Sequence, residues 1–252
     1  MNTCIEGVCF SECGPVRKRN EDNFYFALEY MAVAGESEQK VLSCALEEIS
    51  GVPFGIFDGM GGEHYGEEAS FIAASETGRR TRDGERICSA EDMERLCQAL
   101  NEAVFAASCE RLTAHMGSTA ALLSFYGELF ISGNLGDSRI YLFREGELRQ
   151  LSEDHVSRRP LRVGEKAPLI QYLGIDPEEC LEIPTIRTEK WRQGDIFLLC
   201  SDGITDMIPV QELCDILRSS TDLNGIAEAL REKTISNGGH DNSTAILLRV
   251  KQ

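Results

Sequence analysis

The stretch FGIFDGMGGEHYGEEAS, Phe54 to Ser70, changes character twice. It begins as an apolar run, Phe54, Ile56 and Phe57, short and β-prone enough for a buried strand. The run stops on Asp58. Gly59, Gly61 and Gly62 follow, a glycine density that lets the backbone turn sharply and approach a ligand closely. From Gly66 the pattern turns helical, with Glu67 and Glu68 suited to a first turn and Ala69, Ile72 and Ala73 on one face. A carboxylate at the end of a buried strand, with backbone carbonyls beside it, suits a hard divalent cation, which takes oxygen ligands. An ordinary Asp-Gly turn between strand and helix would look the same, so this stretch alone leaves both readings open.

The design recurs. DIFLLC, Asp195 to Cys200, is a second apolar strand, and it ends in Ser201-Asp202-Gly203-Ile204-Thr205-Asp206. Near the C-terminus, Gly238-Gly239-His240-Asp241-Asn242 feeds the strand STAILLRV and sets a third carboxylate at a strand boundary. At the N-terminal end, residues 5–10 and 24–26 read as strands, with Gly14-Pro15 as a turn and the charged segment Arg17-Lys18-Arg19-Asn20-Glu21-Asp22 between them. That segment reads as a solvated hairpin loop. Its functional reading is that Arg17 grips a phosphate while Glu21 and Asp22 face a metal, since a planar guanidinium fork pairs two phosphate oxygens at once.

Residues 34–50 are polar and predict a loop or short hairpin, and the helix after Gly66 is expected to fade into the polar stretch 78–86. A longer helix starts at Ser89, with Asp92 completing a capping box and Met93, Leu96, Cys97, Leu100, Val104 and Ala107 forming a core-facing stripe. It ends near Gly117. STAALLSF, ELFISGN, RIYLFRE and ELRQL then read as four strands with turns at Gly127, Gly136 and Gly146, which predicts an antiparallel meander carrying Asp137 in one turn. Residues 152–190 lack regular patterning, and an irregular stretch of that length suggests a functional flap. Helices are expected at 209–218 and about 224–236.

The 252 residues carry a formal net charge of −17, which excludes nucleic acid and anionic membrane surfaces as partners through repulsion. No apolar run reaches the ~18 residues a membrane span needs, and MNTCIEGVCF lacks a basic region and an apolar leader core, so a cytoplasmic protein is expected. The ten cysteines are scattered without a C-x-x-C pair, which argues against zinc ribbons and thioredoxin-like chemistry and for reduced, structural thiols. Aspartates gathered at strand ends would repel one another and be pushed to high pKa unless a cation neutralised them. An all-oxygen donor set points to Mg²⁺ or Mn²⁺ rather than zinc. Two such ions can share a bridging carboxylate, activate a water and hold a phosphoryl oxygen. From the residues alone, this is a metal-assisted phosphate hydrolase.

The sequence also resembles the metal-dependent serine/threonine phosphatases of the protein phosphatase 2C type, in their bacterial form. The resemblance runs almost end to end. It rests on RKRNED (17–22), FDGMGG (57–62), GST (117–119), GDSR (136–139), SDGITD (201–206) and GGHDNST (238–244), in that order. It implies an α+β fold, a four-layer α/β/β/α sandwich of two antiparallel sheets flanked by helices, with residues 1–252 as one catalytic domain. The strand and helix reading is compatible with that fold but does not by itself yield it.

By resemblance, Asp58 bridges two metals, the Gly59 carbonyl is a further ligand, and Asp202 and Asp241 complete one shell. Glu21 and Asp22 serve the other, partly through water. Asp137, with Asp202 and Asp206, matches the third-metal position of bacterial members, and Arg17 matches the substrate-phosphate clamp. The implied cofactors are two or three Mn²⁺ or Mg²⁺ ions. The implied mechanism is direct attack of a metal-bridging hydroxide on phosphoserine or phosphothreonine. The implied partners are phosphorylated proteins and a cognate Ser/Thr kinase, with the enzyme a monomer.

Met60 stands where animal members carry a proton-donating His, so the acid must be a water or another group. His64 is expected to face solvent, and His155 and His240 to be structural. The flap looks shorter than is usual in the family, which would alter substrate docking and weaken a third metal. Rival readings are a sporulation or sigma-regulator type phosphatase of the same fold, a pseudophosphatase acting as a binding module, and a hydrolase of small phosphoesters. Against the pseudophosphatase, Asp58, Asp202 and Asp241 are all present.

Overall fold

Five apolar residues, Ile196–Cys200, form a strand buried on both faces. Side chains alternate along a strand, so Phe197 and Leu199 enter one core while Ile196, Leu198 and Cys200 enter another. This double burial explains the unbroken apolar run and fixes the layering of the molecule. The chain is seen in a computed structural model that describes residues 3–33, 37–60, 65–111, 116–159, 166–178, 183–220 and 222–251. In order the elements are β1 (Cys4–Glu12), β2 (Asp22–Tyr25), β3 (Ser37–Ala45), β4 (Pro53–Met60), α1 (Gly66–Arg82), α2 (Ala90–Glu110), β5 (Gly117–Ser118), β6 (Ala120–Tyr126), β7 (Leu129–Leu135), β8 (Arg139–Arg144), β9 (Glu147–Gln150), β10 (Thr185–Lys190), β11 (Ile196–Cys200), α3 (Asp202–Thr205), α4 (Val210–Ser219), α5 (Leu223–Ser236) and β12 (Ser243–Lys251).

One sheet runs β3-β1-β12-β11-β8-β9 and the other β10-β7-β6-β4-β2, with β5 paired to β4. The pairings between strands are antiparallel. Helices α1 and α2 cover the second sheet, while α4 and α5 cover the first. The four-layer α/β/β/α sandwich expected by resemblance is therefore the observed fold. Between the sheets, Phe197 of β11 meets Phe125 and Phe130 of the other sheet at ring-centroid distances of 5.3 and 4.9 Å, both edge to face. Outside the first sheet, Leu198 and Leu247 pack on Leu213, Leu217, Ile226 and Leu230 of α4 and α5.

Four expectations are corrected. The meander is split: β7 and β8 lie in different sheets, so the chain crosses the sandwich at Gly136-Asp137-Ser138 instead of turning back on itself. The 34–50 segment contains β3, a nine-residue edge strand, and a short 3₁₀ turn at Leu46–Ile49. β3 escaped notice because its pattern of polar residues reflects an exposed edge. β10 likewise lies inside the stretch read as irregular, with Thr188 and Lys190 at its exposed positions. α1 continues past Gly78 to Arg82; the glycine is there because a Cβ would lie 3.0 and 3.1 Å from Tyr30 and Tyr25. Gly78 marks close packing of helix on strand rather than a helix end. The Ser89 cap is as expected: its Oγ accepts from the Asp92 amide at 3.2 Å, and Asp92 reaches back to the Cys88 amide at 2.9 Å.

Candidate metal centre

The strand ends that carry the acidic residues meet at one end of the sandwich. β2 and β4 pair with Asp22 opposite Asp58. The Asp58 backbone is held by the segment after β5: its amide donates to Thr119 Oγ1 at 3.0 Å and its carbonyl accepts from the Thr119 amide at 2.8 Å. The Gly59 amide donates to the Glu21 carbonyl at 3.0 Å. A Cβ on Gly59 would lie 2.0 Å from the Gly66 carbonyl oxygen, so only glycine lets α1 begin there. The second strand-end repeat is equally tight, since a Cβ on Gly203 would fall 1.8 Å from the Asn242 carbonyl oxygen. That contact seats the Asp202-Gly203 turn against the Asp241-Asn242 backbone. At the crossover, Gly136 has φ of +94° and its amide donates to His155 Nδ1 at 3.3 Å. His155 Nε2 in turn meets Thr185 Oγ1 at 3.0 Å, so this histidine is a structural brace for the loop that presents Asp137.

A cavity of about 310 Å³ results, and Arg17, Glu21, Asp58, Gly59, Asp137, Asp202 and Asp241 all line it. Met60, Thr119, Lys166, Ala167 and Leu169 complete the wall. Asp22 is not on that wall. It lies buried behind Asp58, its Oδ2 accepting from Ser201 Oγ and Thr244 Oγ1 at 2.7 Å each. Asp206 stands outside the wall, its side chain 53% exposed and 3.4 Å from Lys166 Nζ. The expectation for His64, with Gly61 and Gly62, lies outside the described residues. His240 contributes its backbone, the carbonyl accepting from Arg17 Nε at 3.3 Å.

The electrostatics are those of crowded acids. Burial first, and then the charges of Asp22, Asp137 and Asp241, hold the Asp58 carboxyl well above its usual range, with Lys166 opposing. Burial pushes Asp22 up to about 6, against the hydroxyl hydrogen bonds from Thr244 and Ser201. Glu21 is raised by burial and then by Glu67, and Asp137 by burial. Two basic side chains relieve part of this strain. Arg17 Nη2 donates to Asp241 Oδ2 at 2.7 Å, and Lys166 Nζ is in contact with Asp202 Oδ2. Among the described residues no group of three or more His, Cys, Asp and Glu is drawn together into a closed metal cage. The donors are spread along an open wall and two of them are engaged by cations of the chain itself. Their chemistry nonetheless fits a hard divalent ion: every donor is oxygen, and buried carboxylates of raised pKa are what a cation relieves.

The pattern reading missed the groups that hold the acids in place. Thr119, Ser201 and Thr244 sit inside the quoted motifs, but nothing in their spacing says that they bond the backbone of Asp58 and the side chain of Asp22. Asn242 was also present without a role. Its Oδ1 accepts from the Glu21 amide at 2.9 Å, and its Nδ2 donates to the carbonyls of Cys13 and Arg19 at 2.9 and 2.8 Å. Lys166 carried no signal at all.

Two back-to-back antiparallel sheets with an acidic, all-oxygen cleft at one end define a class suited to divalent-metal chemistry on phosphate. Residues 40–234 match the family model described as Protein phosphatase 2C, and the chain belongs to that family. The serine/threonine phosphatase Stp of Listeria welshimeri is 33% identical over 210 residues, spanning 77% of this chain and 82% of that protein. The protein phosphatase PhpP of Streptococcus pneumoniae is 30% identical over 210 residues, spanning 77% and 84% respectively. Among solved structures, the catalytic domain of the serine threonine protein phosphatase PstP in complex with two manganese ions aligns with a TM-score of 0.77. It is 26% identical and covers 99% of this chain and 100% of that one.

Proposed function

We infer that this chain is a metal-dependent protein serine/threonine phosphatase that hydrolyses phosphoserine and phosphothreonine in proteins. The observation that carries this reading is the convergence of Glu21, Asp58, Asp137, Asp202 and Asp241 on one cleft with Arg17 at its edge, in a chain of this family. Asp58, the Gly59 carbonyl, Asp202, Asp241 and Glu21 would hold the ions. Asp22, buried and held by Ser201 and Thr244, would serve the centre from behind Asp58. Asp137, Asp202 and Asp206 are the acids that would hold a third ion. Bound Mn²⁺ or Mg²⁺ supplies an activated water and neutralises the phosphoryl oxygens. The two-manganese PstP structure favours Mn²⁺.

The remaining work falls to the chain. Arg17, with its side chain 44% exposed and paired to Asp241, exchanges a weak exposed ion pair for a bidentate grip on the substrate phosphate. Met60 lines the cleft and carries no transferable proton, so the leaving alkoxide takes its proton from a water or another group. Residues 166–169 act as the part of a flap that reaches the cleft, since Lys166, Ala167 and Leu169 form part of its wall. The whole chain works as one catalytic domain, a cytoplasmic monomer opposing a Ser/Thr kinase. Among the described residues no cysteine forms a disulfide and no helix is long and apolar enough to cross a membrane.

The test is phosphate release from a phosphothreonine peptide with Mn²⁺, with EDTA, and for Asp202→Ala with Mn²⁺. The expected result is release that both EDTA and the substitution abolish. Release from a small aryl phosphate but from no phosphopeptide would overturn the protein phosphatase reading.

A further inference from the structure

Lys166 enters the acidic cleft from the flap and belongs to none of the motifs. Its position is set by pairing at the base of its loop. Val156 and Leu169 form a β-bridge, the Ser157 amide donates to the Pro168 carbonyl at 2.8 Å, and the Ile170 amide donates to the His155 carbonyl at 2.9 Å. The loop so anchored carries the Lys166 ammonium to Asp202 Oδ2, with Asp206 Oδ2 at 3.4 Å. Its charge is also felt at Asp137. These three acids are the ones that flank the third-ion position.

We propose that Lys166 is a tethered cation that fills the Asp137/Asp202/Asp206 pocket in place of a third divalent ion, so that the enzyme holds two ions and not three. This rests on the metal-dependent reading above and deepens it. An ammonium has three N–H donors and no acceptor, which matches the carboxylate oxygens of Asp202 and Asp206 that it meets. The tether matters because a covalently linked charge competes at an effective concentration in the ~mM range, where a weakly held third ion must compete with it. Lys166 engages one carboxylate oxygen of Asp202, and a carboxylate has a second to offer the ions beside Asp58.

The experiment counts bound Mn²⁺ on the full chain without substrate, by the loss of the free-ion electron paramagnetic resonance signal and by titration calorimetry. The variants are Lys166→Met, Lys166→Arg and Lys166→Met with Asp206→Asn. The wild type is expected to bind two ions. Lys166→Met should gain a third, with its Kd tightened on the order of tenfold relative to any weak third binding of the wild type. Lys166→Arg should keep the wild-type count, and the double variant should lose the gained ion. The same count and Kd in wild type and Lys166→Met would overturn this inference and leave the two-ion centre standing. A gained ion that survives Asp206→Asn would place it elsewhere and overturn it too. No binding to any form would overturn the metal-dependent reading itself.

Discussion

Asn242 puts no group into the cleft, yet it determines where Arg17 and Glu21 stand. It is 3% exposed, and its amide joins the Glu21 amide to the carbonyls of Cys13 and Arg19. Removing it leaves one donor and two acceptors unpaired in the interior, a loss of about 1–3 kcal/mol. The loop that carries the phosphate grip also loses its anchor, and a displacement of an ångström at a reacting centre costs on the order of a hundredfold in rate. Asn242→Ala should therefore lower the thermal midpoint and depress kcat/KM on a phosphothreonine peptide well beyond the loss of folded protein. Asn242→Asp, which keeps the acceptor but not the donors, should do no better. Unchanged kcat/KM in a destabilised Asn242→Ala would mean that other contacts position Arg17.

At the scale of elements, what could be read from the sequence followed burial. β4, β11 and β12 are buried on both faces and announce themselves as apolar runs bounded by glycine and aspartate, after β4 and β11 and before β12. β3 and β10 are edge strands, half exposed and rich in polar or charged residues, and their sequences do not differ from loops. The β7–β8 connection was misread for another reason. Gly136-Asp137-Ser138 is as short as a hairpin turn, and only tertiary packing decides that the chain passes between sheets there. Asp58, Asp202 and Asp241 were legible as acids at strand ends, whereas Lys166 sits in a stretch with no period to read. Asp22 was legible as an acid but not as one buried behind Asp58.

The β8–β9 turn was read correctly, and it carries a correctable flaw. Glu145 and Gly146 both have positive φ, 52° and 86°, the pattern of a type I′ hairpin. Glu145 is strained in that region, where Asn is better tolerated, and its ion pair with Arg192 is long at 3.9 Å and exposed. Glu145→Asn should stabilise the protein by about 0.5 kcal/mol and raise Tm by roughly 1–2 °C. Gly146→Ala should lower it. Calorimetric scans of the two variants test this, and a lower Tm for Glu145→Asn would show that the long ion pair outweighs the strain.

Over the whole molecule, the acidic cleft couples folding stability to pH and to metal. Glu21, Asp22, Asp58 and Asp137 all have pKa values raised in the fold, chiefly by burial, with Asp22 at about 6. A group whose folded pKa lies above its unfolded value binds protons more tightly in the native state. Its contribution to stability is then fully present below the unfolded pKa and is lost as pH rises through the folded one. For Asp22 that window opens near the ordinary Asp value of ~3.9 and closes through about 6. Salt-bridged acids such as Glu76 and Glu189 have lowered pKa values, so their contributions are lost only in stronger acid. His155, lowered by burial, acts in the opposite sense to the cleft, because its contribution is lost as pH falls below the ordinary His range. Against that single group stand four carboxylates and the mutual repulsion of a chain of net charge −17. Metal-free protein in EDTA should therefore have a higher urea midpoint near pH 5.5 than near pH 7.5. Mn²⁺ displaces the same protons, so it should stabilise more at the higher pH, by roughly 2.7 kcal/mol once free metal reaches about 100 times its Kd. A metal-free midpoint that rises from pH 5.5 to 7.5 would instead mean that Arg17 and Lys166 already compensate the cleft, and that metal binds a site the chain has neutralised for itself.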